Sequence, residues 1–136
     1  MKKILFFIVV LAAVVSTCAH AQLVIANPSV KASQISKSEL RDIFTGASAS
    51  LGGSHVVPAL QKQGAAHEAF LAEFVGKSDA ALSATWRSLV FSGQASMPKS
   101  VDSDGAMVDY VAKTPGAIGY IAKTSPHEGT KVLTVQ

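Results

Sequence analysis

The apolar positions of this chain come in two rhythms. One is the short unbroken run. Residues 23–26 are apolar throughout and stop at Asn27-Pro28, which predicts a strand closed by a turn. Residues 56–60 form a second run, Val56, Val57, Pro58, Ala59 and Leu60, short enough for a strand in a buried sheet. Pro58 brings no ladder donor, so its place is near the strand start, at an edge or at a bulge. Residues 117–121 predict another strand, and Gly119 inside it marks a close approach by another backbone or a ligand. Residues 99–102 predict a short strand, and 131–135 a final one placed at an edge.

The other rhythm is helical. Ser36 is followed three residues later by Glu39, a capping box, with Ile35 and Leu40 at the two staple positions. The helix it opens runs to about Phe44, buries Leu40, Ile43 and Phe44, and stops at Gly46. Residues 61–64, Gln-Lys-Gln-Gly, make a polar turn. From Ala65 a helix carries Ala66, Phe70, Leu71, Phe74 and Val75 inward and ends at Gly76. Ser78 caps a third helix over 79–90, with Asp79 in its first turn and Leu82, Trp86, Leu89 and Val90 inward. Ser103 or Asp104 caps a fourth, with Met107, Val108 and Val111 inward, stopped by Thr114-Pro115-Gly116. Residues 29–34, 47–54, 94–98 and 124–129 read as loops. Strands alternating with helices predict an α/β layer structure, a mixed and mostly parallel sheet flanked by helices, with four helices and four or five strands.

Composition changes the picture mainly at the start of the chain. Lys2 and Lys3 precede an apolar run over 4–15, and Ala19-His20-Ala21 stands before Gln22. A charged start, a short apolar stretch and an A-x-A site predict a secretory signal peptide over 1–21 and one domain over 22–136. The run is too short for a comfortable membrane span. Val15-Ser16-Thr17-Cys18 leaves a lipidated Cys18 as the competing expectation. The 136 residues hold twelve Lys and Arg against nine Asp and Glu. Two of the basic residues are Lys2 and Lys3, so residues 22–136 carry a net charge of only +1. That balance gives no argument for a nucleic-acid partner. Cys18 is the single cysteine, so the mature chain is expected to hold no disulfide or cysteine metal site.

Catalytic constellations are hard to find. His55, His67 and His127 have no metal-binding helix spacing, and neither a nucleophile elbow nor a phosphate-binding glycine loop is present. Each histidine reads as a surface or capping residue before it reads as a catalyst. The expectation is a non-enzyme with no catalytic residue, no metal and no cofactor. The strand–turn–helix over 56–76 offers binding chemistry instead: free N–H groups and the helix dipole at the helix start favour an anion. Gln61, Lys62, Gln63 and His67 stand ready to add side-chain donors beside Gly64, Ala65 and Ala66.

Four further features occur in a telling order. Asn27-Pro28 closes the first strand. Leu40-Arg41-Asp42-Ile43-Phe44-Thr45-Gly46 ends the first helix. Trp86 leads to Leu89-Val90-Phe91-Ser92-Gly93, and Pro115-Gly116-Ala117-Ile118-Gly119-Tyr120-Ile121 forms a late strand. Across residues 23–122 the chain resembles the periplasmic phosphate-binding proteins of ABC transporters, especially their short single-lobe relatives. The resemblance implies one lobe of a type 2 periplasmic binding protein, the lobe inserted as a continuous segment. It implies a periplasmic location, a phosphate-like anion as ligand, and an ABC permease or a second protein chain as partner. In the family this lobe supplies a serine–glycine–threonine turn with an arginine just upstream. Here the matching residues are Gln63-Gly64-Ala65-Ala66, with Gln61 or Lys62 near the arginine's place. The glycine and the helix start are kept, and both hydroxyls and the guanidinium are absent, so weak phosphate binding by a monomer is expected. The alternative expectation is an accessory module of the cell envelope that uses the lobe fold for protein contact.

Overall fold

The computed structural model describes residues 22–136, and the expected signal peptide over 1–21 lies outside the described residues. Strands and helices alternate as β1 (Gln22–Ala26), β2 (Gln34–Ile35), α1 (Lys37–Thr45), β3 (Ser50–Leu51), β4 (Ser54–His55), β5 (Val57–Gln61) and α2 (Ala65–Phe70). α2 continues without a break into a π-wound turn, Leu71–Val75. Then come α3 (Asp79–Phe91), β6 (Lys99–Val101), α4 (Asp104–Lys113), β7 (Ala117–Ala122) and β8 (Lys131–Val135).

Six strands form one sheet in the order β2-β8-β1-β7-β5-β6. β5 runs parallel to both β6 and β7, and β2 runs parallel to β8. β1 alone opposes its neighbours, antiparallel to β7 and β8. The sheet is therefore mixed and mostly parallel, and helices cover both faces. It holds more strands than the sequence predicts. β8 is not at an edge, because the two residues of β2 pair along its outer side. The expected loop over 47–54 holds all but the last residue, His55, of the β3–β4 hairpin, in which Leu51 is buried. Two-residue strands are too short to show a period of two. Pro58 is the second residue of β5 and pairs only toward β7, ahead of the stretch Ala59 to Gln61 that pairs with β6. A residue without a donor fits there.

The alternation of side chains in β1 and β7 splits the interior into two layers. Val24, Ala26, Ile118 and Tyr120 face α1, α2 and α3, with Leu40, Ile43, Phe44, Phe70, Phe74, Leu82 and Trp86 completing that layer. Ile25, Ala117 and Ile121 face α4, with Met107 and Val111. Gly119 lies on the α4 side. A Cβ there would run into Met107 Sδ and stand 3.2 Å from Val111 Cγ2. What comes close is thus a helix side chain, not the backbone or ligand that the sequence suggests.

Helix ends follow local chemistry. Both bonds of the Ser36–Glu39 box are present, and the staple residues Ile35 and Leu40 are buried. Gly46 closes α1 at φ 82°, with its α-carbon packed so closely under Leu89 and Trp86 that a side chain would collide. Ser78 caps α3, and Ser103 rather than Asp104 caps α4. Asn27, read in sequence only as a strand stop, is buried and closes α4 from outside: its Nδ2 donates to the carbonyls of Val111 at 2.9 Å and Ala112 at 3.1 Å. Trp86 is core, its indole N–H donating to the Phe44 carbonyl at 2.9 Å. Val90, expected inward, is instead exposed near the end of α3.

Candidate functional site

Because β5, β6 and β7 run parallel, their carboxyl ends share one edge of the sheet. The β5–α2 turn, the start of α4 and the segment after Ala122 meet there. All seven sequence-predicted ligand residues, Gln61, Lys62, Gln63, Gly64, Ala65, Ala66 and His67, lie in that one turn, but in two different conditions. Lys62, Gln63, Gly64 and Ala65 are exposed, and Ala66 is half-buried. Gln61 and His67, which bracket them, are 4% and 2% exposed. His67 is therefore neither a surface residue nor a cap.

The open part of the turn is a helix start without a side-chain cap. Gly64 has φ 113° and ψ 168°, and a Cβ on it would meet nothing within 4 Å. The first helical bond is Glu68 N–H to the Gly64 carbonyl at 3.0 Å, so the N–H groups of Ala65, Ala66 and His67 precede it. α1, α3 and α4 each spend a serine on those positions, and α2 spends none. Lys62 donates its N–H to the Val101 carbonyl at 2.9 Å. Its ammonium lies 3.3 Å from Asp102 Oδ1, both side chains well exposed. An exposed pair of this kind contributes less than about 1 kcal/mol, so Lys62 can exchange Asp102 for another anion.

The closed part is a polar network centred on buried Gln61, His67 and Tyr120, with Asp104 and Ser125 half-buried and the Asp79 side chain 64% exposed at its rim. The Gln61 N–H donates to Tyr120 Oη at 2.9 Å, and the Gln61 side-chain amide donates to Asp104 Oδ1 at 2.6 Å and to the Tyr120 carbonyl at 3.0 Å. His67 Nδ1 bonds Tyr120 Oη, and His67 Nε2 lies 2.8 Å from Asp79 Oδ1. Asp104 Oδ2 accepts from Ala122 N at 3.1 Å and from Ser125 Oγ at 2.5 Å. Burial alone would raise the Asp104 carboxyl; hydrogen bonds from Ser125, Gln61 and Ala122 outweigh it and hold the group below its ordinary value. Burial pushes the Tyr120 phenol up, and the Asp79 charge adds to that, against the Gln61 N–H.

Sequence reasoning missed Tyr120, Asp104 and Ser125 as parts of this edge, and read Asp79 only as a first-turn charge. One signal was available. His67, Phe70, Leu71 and Phe74 stand at i, i+3, i+4 and i+7, so His67 occupies an apolar register and must find a buried partner. Among the described residues no group of three or more His, Cys, Asp or Glu is placed to hold a metal ion, and no helix is long and apolar enough to cross a membrane.

No protein-family model and no curated protein matches the chain. Solved structures do. A putative phosphate ABC transporter substrate-binding protein from Clostridium perfringens, solved with bound phosphate, superposes with a TM-score of 0.66 at 18% identity, over 85% of this chain and 44% of that one. An ABC-type phosphate transport receptor from Vibrio cholerae gives 0.66 at 17% identity, over 85% of this chain and 46% of that one. PstS from Borrelia burgdorferi gives 0.65 at 19% identity, over 85% of this chain and 47% of that one. The chain thus spans under half the length of each. At these identities the likeness is one of fold, and the fold is that of one lobe of a phosphate-binding protein of this type.

Proposed function

We propose that this chain is a periplasmic solute-binding lobe, not an enzyme, that captures a small oxyanion without covalent chemistry at the 62–66 turn. Phosphate is the first candidate. The observation that carries the reading is the uncapped, open helix start at Gly64, on the carboxyl edge of three parallel strands, where open α/β sheets take their ligands. Solved structures of the same fold are named for phosphate transport, which supports the choice of anion. Residues 1–21 act as a signal peptide in this reading, and 22–136 as the mature domain.

The donors are few. Gln61 and His67 are engaged inside, which leaves backbone N–H groups, Lys62 and Gln63. Each hydrogen bond lost to a charged group is worth roughly 1.5–3 kcal/mol. Three fewer than in the family's pattern removes most of the roughly 8 kcal/mol behind a micromolar site. A monomer is therefore expected to bind phosphate more weakly than about 10 μM, and tight capture to need a second chain or a permease over the same edge.

A thermal shift of residues 22–136 against phosphate and sulfate tests this. Ligand at about a hundred times its dissociation constant adds roughly 2.7 kcal/mol and raises the midpoint by about 10 °C. A phosphate-selective rise supports capture; no rise with any oxyanion up to saturating concentration sinks it. One observation favours a second reading, an interaction module of the cell envelope. Phe91 is 95% exposed at the end of α3, beside exposed Val90 and with Met97 also exposed. Sedimentation with and without phosphate separates the two. Dimers that form only with phosphate favour capture by two chains, and a constitutive dimer lost in Phe91→Ser favours the interaction face.

A further inference from the structure

The two ends of the 61–67 turn are gripped by a single atom. Tyr120 Oη accepts the Gln61 N–H at 2.9 Å and bonds His67 Nδ1. The ring that carries this oxygen is fixed without it. It stacks on Phe70 with centroids 3.9 Å apart and planes 6° apart, and meets Phe44 edge-on at 5.8 Å. Tyr120 sits in β7, so the grip ties the turn to the middle of the sheet.

Only one arrangement of protons satisfies all partners. The Gln61 N–H can only donate, so Tyr120 accepts there and gives its own proton to His67 Nδ1. His67 then carries its proton on Nε2 and donates it to Asp79 Oδ1 at 2.8 Å. The opposite tautomer would set a bare ring nitrogen against the Asp79 carboxylate and a second N–H against Tyr120. A doubly protonated ring would leave the phenol proton with no acceptor. Asp79, on the far side of His67, decides which way the chain of donors points.

We propose that Tyr120 is the positioning residue of the anion turn: its hydroxyl holds both ends of residues 61–67 on one point, and Asp79, acting through His67, fixes the proton direction that makes the double grip. The functional value of this grip rests on the oxyanion reading; the grip itself does not. A turn that spends a tenth of its time in the competent shape loses about tenfold in apparent affinity.

The experiment uses nitrogen-15 relaxation and ring-nitrogen shifts on wild type, Tyr120→Phe, Asp79→Ala and Asp79→Asn, with inorganic phosphate added last. In wild type, His67 is expected as the Nε2–H tautomer, and amides 62–66 as rigid, with order parameters near about 0.85. In Y120F those amides are expected to fall below about 0.6 while β7 stays rigid, and phosphate binding to weaken about tenfold. D79A changes no residue of the turn and removes only the acceptor of His67 Nε2, yet is expected to loosen residues 62–66; D79N keeps an acceptor for His67 and is expected to restore them. A wild-type His67 protonated on Nδ1 overturns the proposal. So does a Y120F turn as rigid as wild type. If Y120F does not fold, the D79A and D79N pair decides: equal rigidity in both overturns the proposal, and loss in D79A with rescue in D79N supports it. Loosening in Y120F together with no phosphate binding by wild type leaves the grip standing and fails the oxyanion reading alone.

Discussion

Gly119→Ala adds one methyl group to the middle of β7 on the side that faces α4. That methyl would overlap Met107 Sδ and stand 3.1 Å from Met107 Cγ and 3.2 Å from Val111 Cγ2. Met107 and Val111 are both fully buried, so neither has solvent to retreat into. Overpacking of this kind costs about 1–3 kcal/mol. Replacing glycine within a strand returns about 0.5–1 kcal/mol of backbone entropy. A net loss of about 1–2 kcal/mol is expected, a fall in midpoint of roughly 5–10 °C for a domain of this size. Met107→Ala alone is expected to cost about 2–5 kcal/mol through the cavity it leaves. The two changes fill and empty the same space, so the double variant should be more stable than the sum of its parents by at least about 1 kcal/mol. Urea unfolding followed by circular dichroism, and independently by the fluorescence of Trp86, gives all four corners of the cycle. Equal urea slopes across the set license the comparison. A cycle additive to within about 0.5 kcal/mol, or a G119A protein at least as stable as wild type, refutes the close approach of α4 to β7.

Two further outcomes are expected. The Asp104 carboxyl is held below its ordinary value by its hydrogen bonds, so its contribution is complete above the unfolded value and is lost as the pH falls through the folded one. Wild type should therefore lose stability below about pH 4, and Asp104→Asn should show a shallower acid slope in that window; parallel pH profiles of the two urea midpoints would contradict it. Asn27→Ala strips partners from the Val111 and Ala112 carbonyls and from the Ser29 N–H, which Asn27 Oδ1 accepts at 2.9 Å. A loss of about 2–4 kcal/mol in urea unfolding is expected, with the C-terminal turn of α4 the first segment to gain hydrogen exchange.

What could be read in the sequence was what sequence neighbours decide. Ser36 and Glu39 stand three residues apart, so their mutual cap is visible on the page, and Gly46, Gly76, Ser78 and Ser103 announce helix ends by the same local logic. The parallel sheet was legible because its strands and helices alternate. The π turn after Phe70 was not, since one extra residue per turn leaves the apolar spacing of Phe70, Leu71, Phe74 and Val75 intact. The inner place of β8 was not, since two residues of β2, nearly a hundred positions away, decide it. At the candidate site the turn itself was found, while the split between its open residues and buried Gln61 and His67 was missed. Tyr120 lies 59 residues from Gln61 and 53 from His67, and nothing near it in the chain marks it as more than an apolar strand residue.

The place of β1 also fixes when the protein can fold. Gln22 pairs with Ala122 and Val24 with Leu133, so β1 finds its two neighbours only about a hundred residues further along the chain. Until then Val24, Ile25 and Ala26 have no layer to enter, and both edges of the strand stand bare. Pairing over such separations is slow, because the loop must close before any contact rewards it. A fragment that stops short of β7 lacks both partners of β1 and cannot build the centre of the sheet. A chain cut anywhere before β7 would then expose its apolar first strand permanently, and is expected to aggregate rather than to form a smaller version of the same fold.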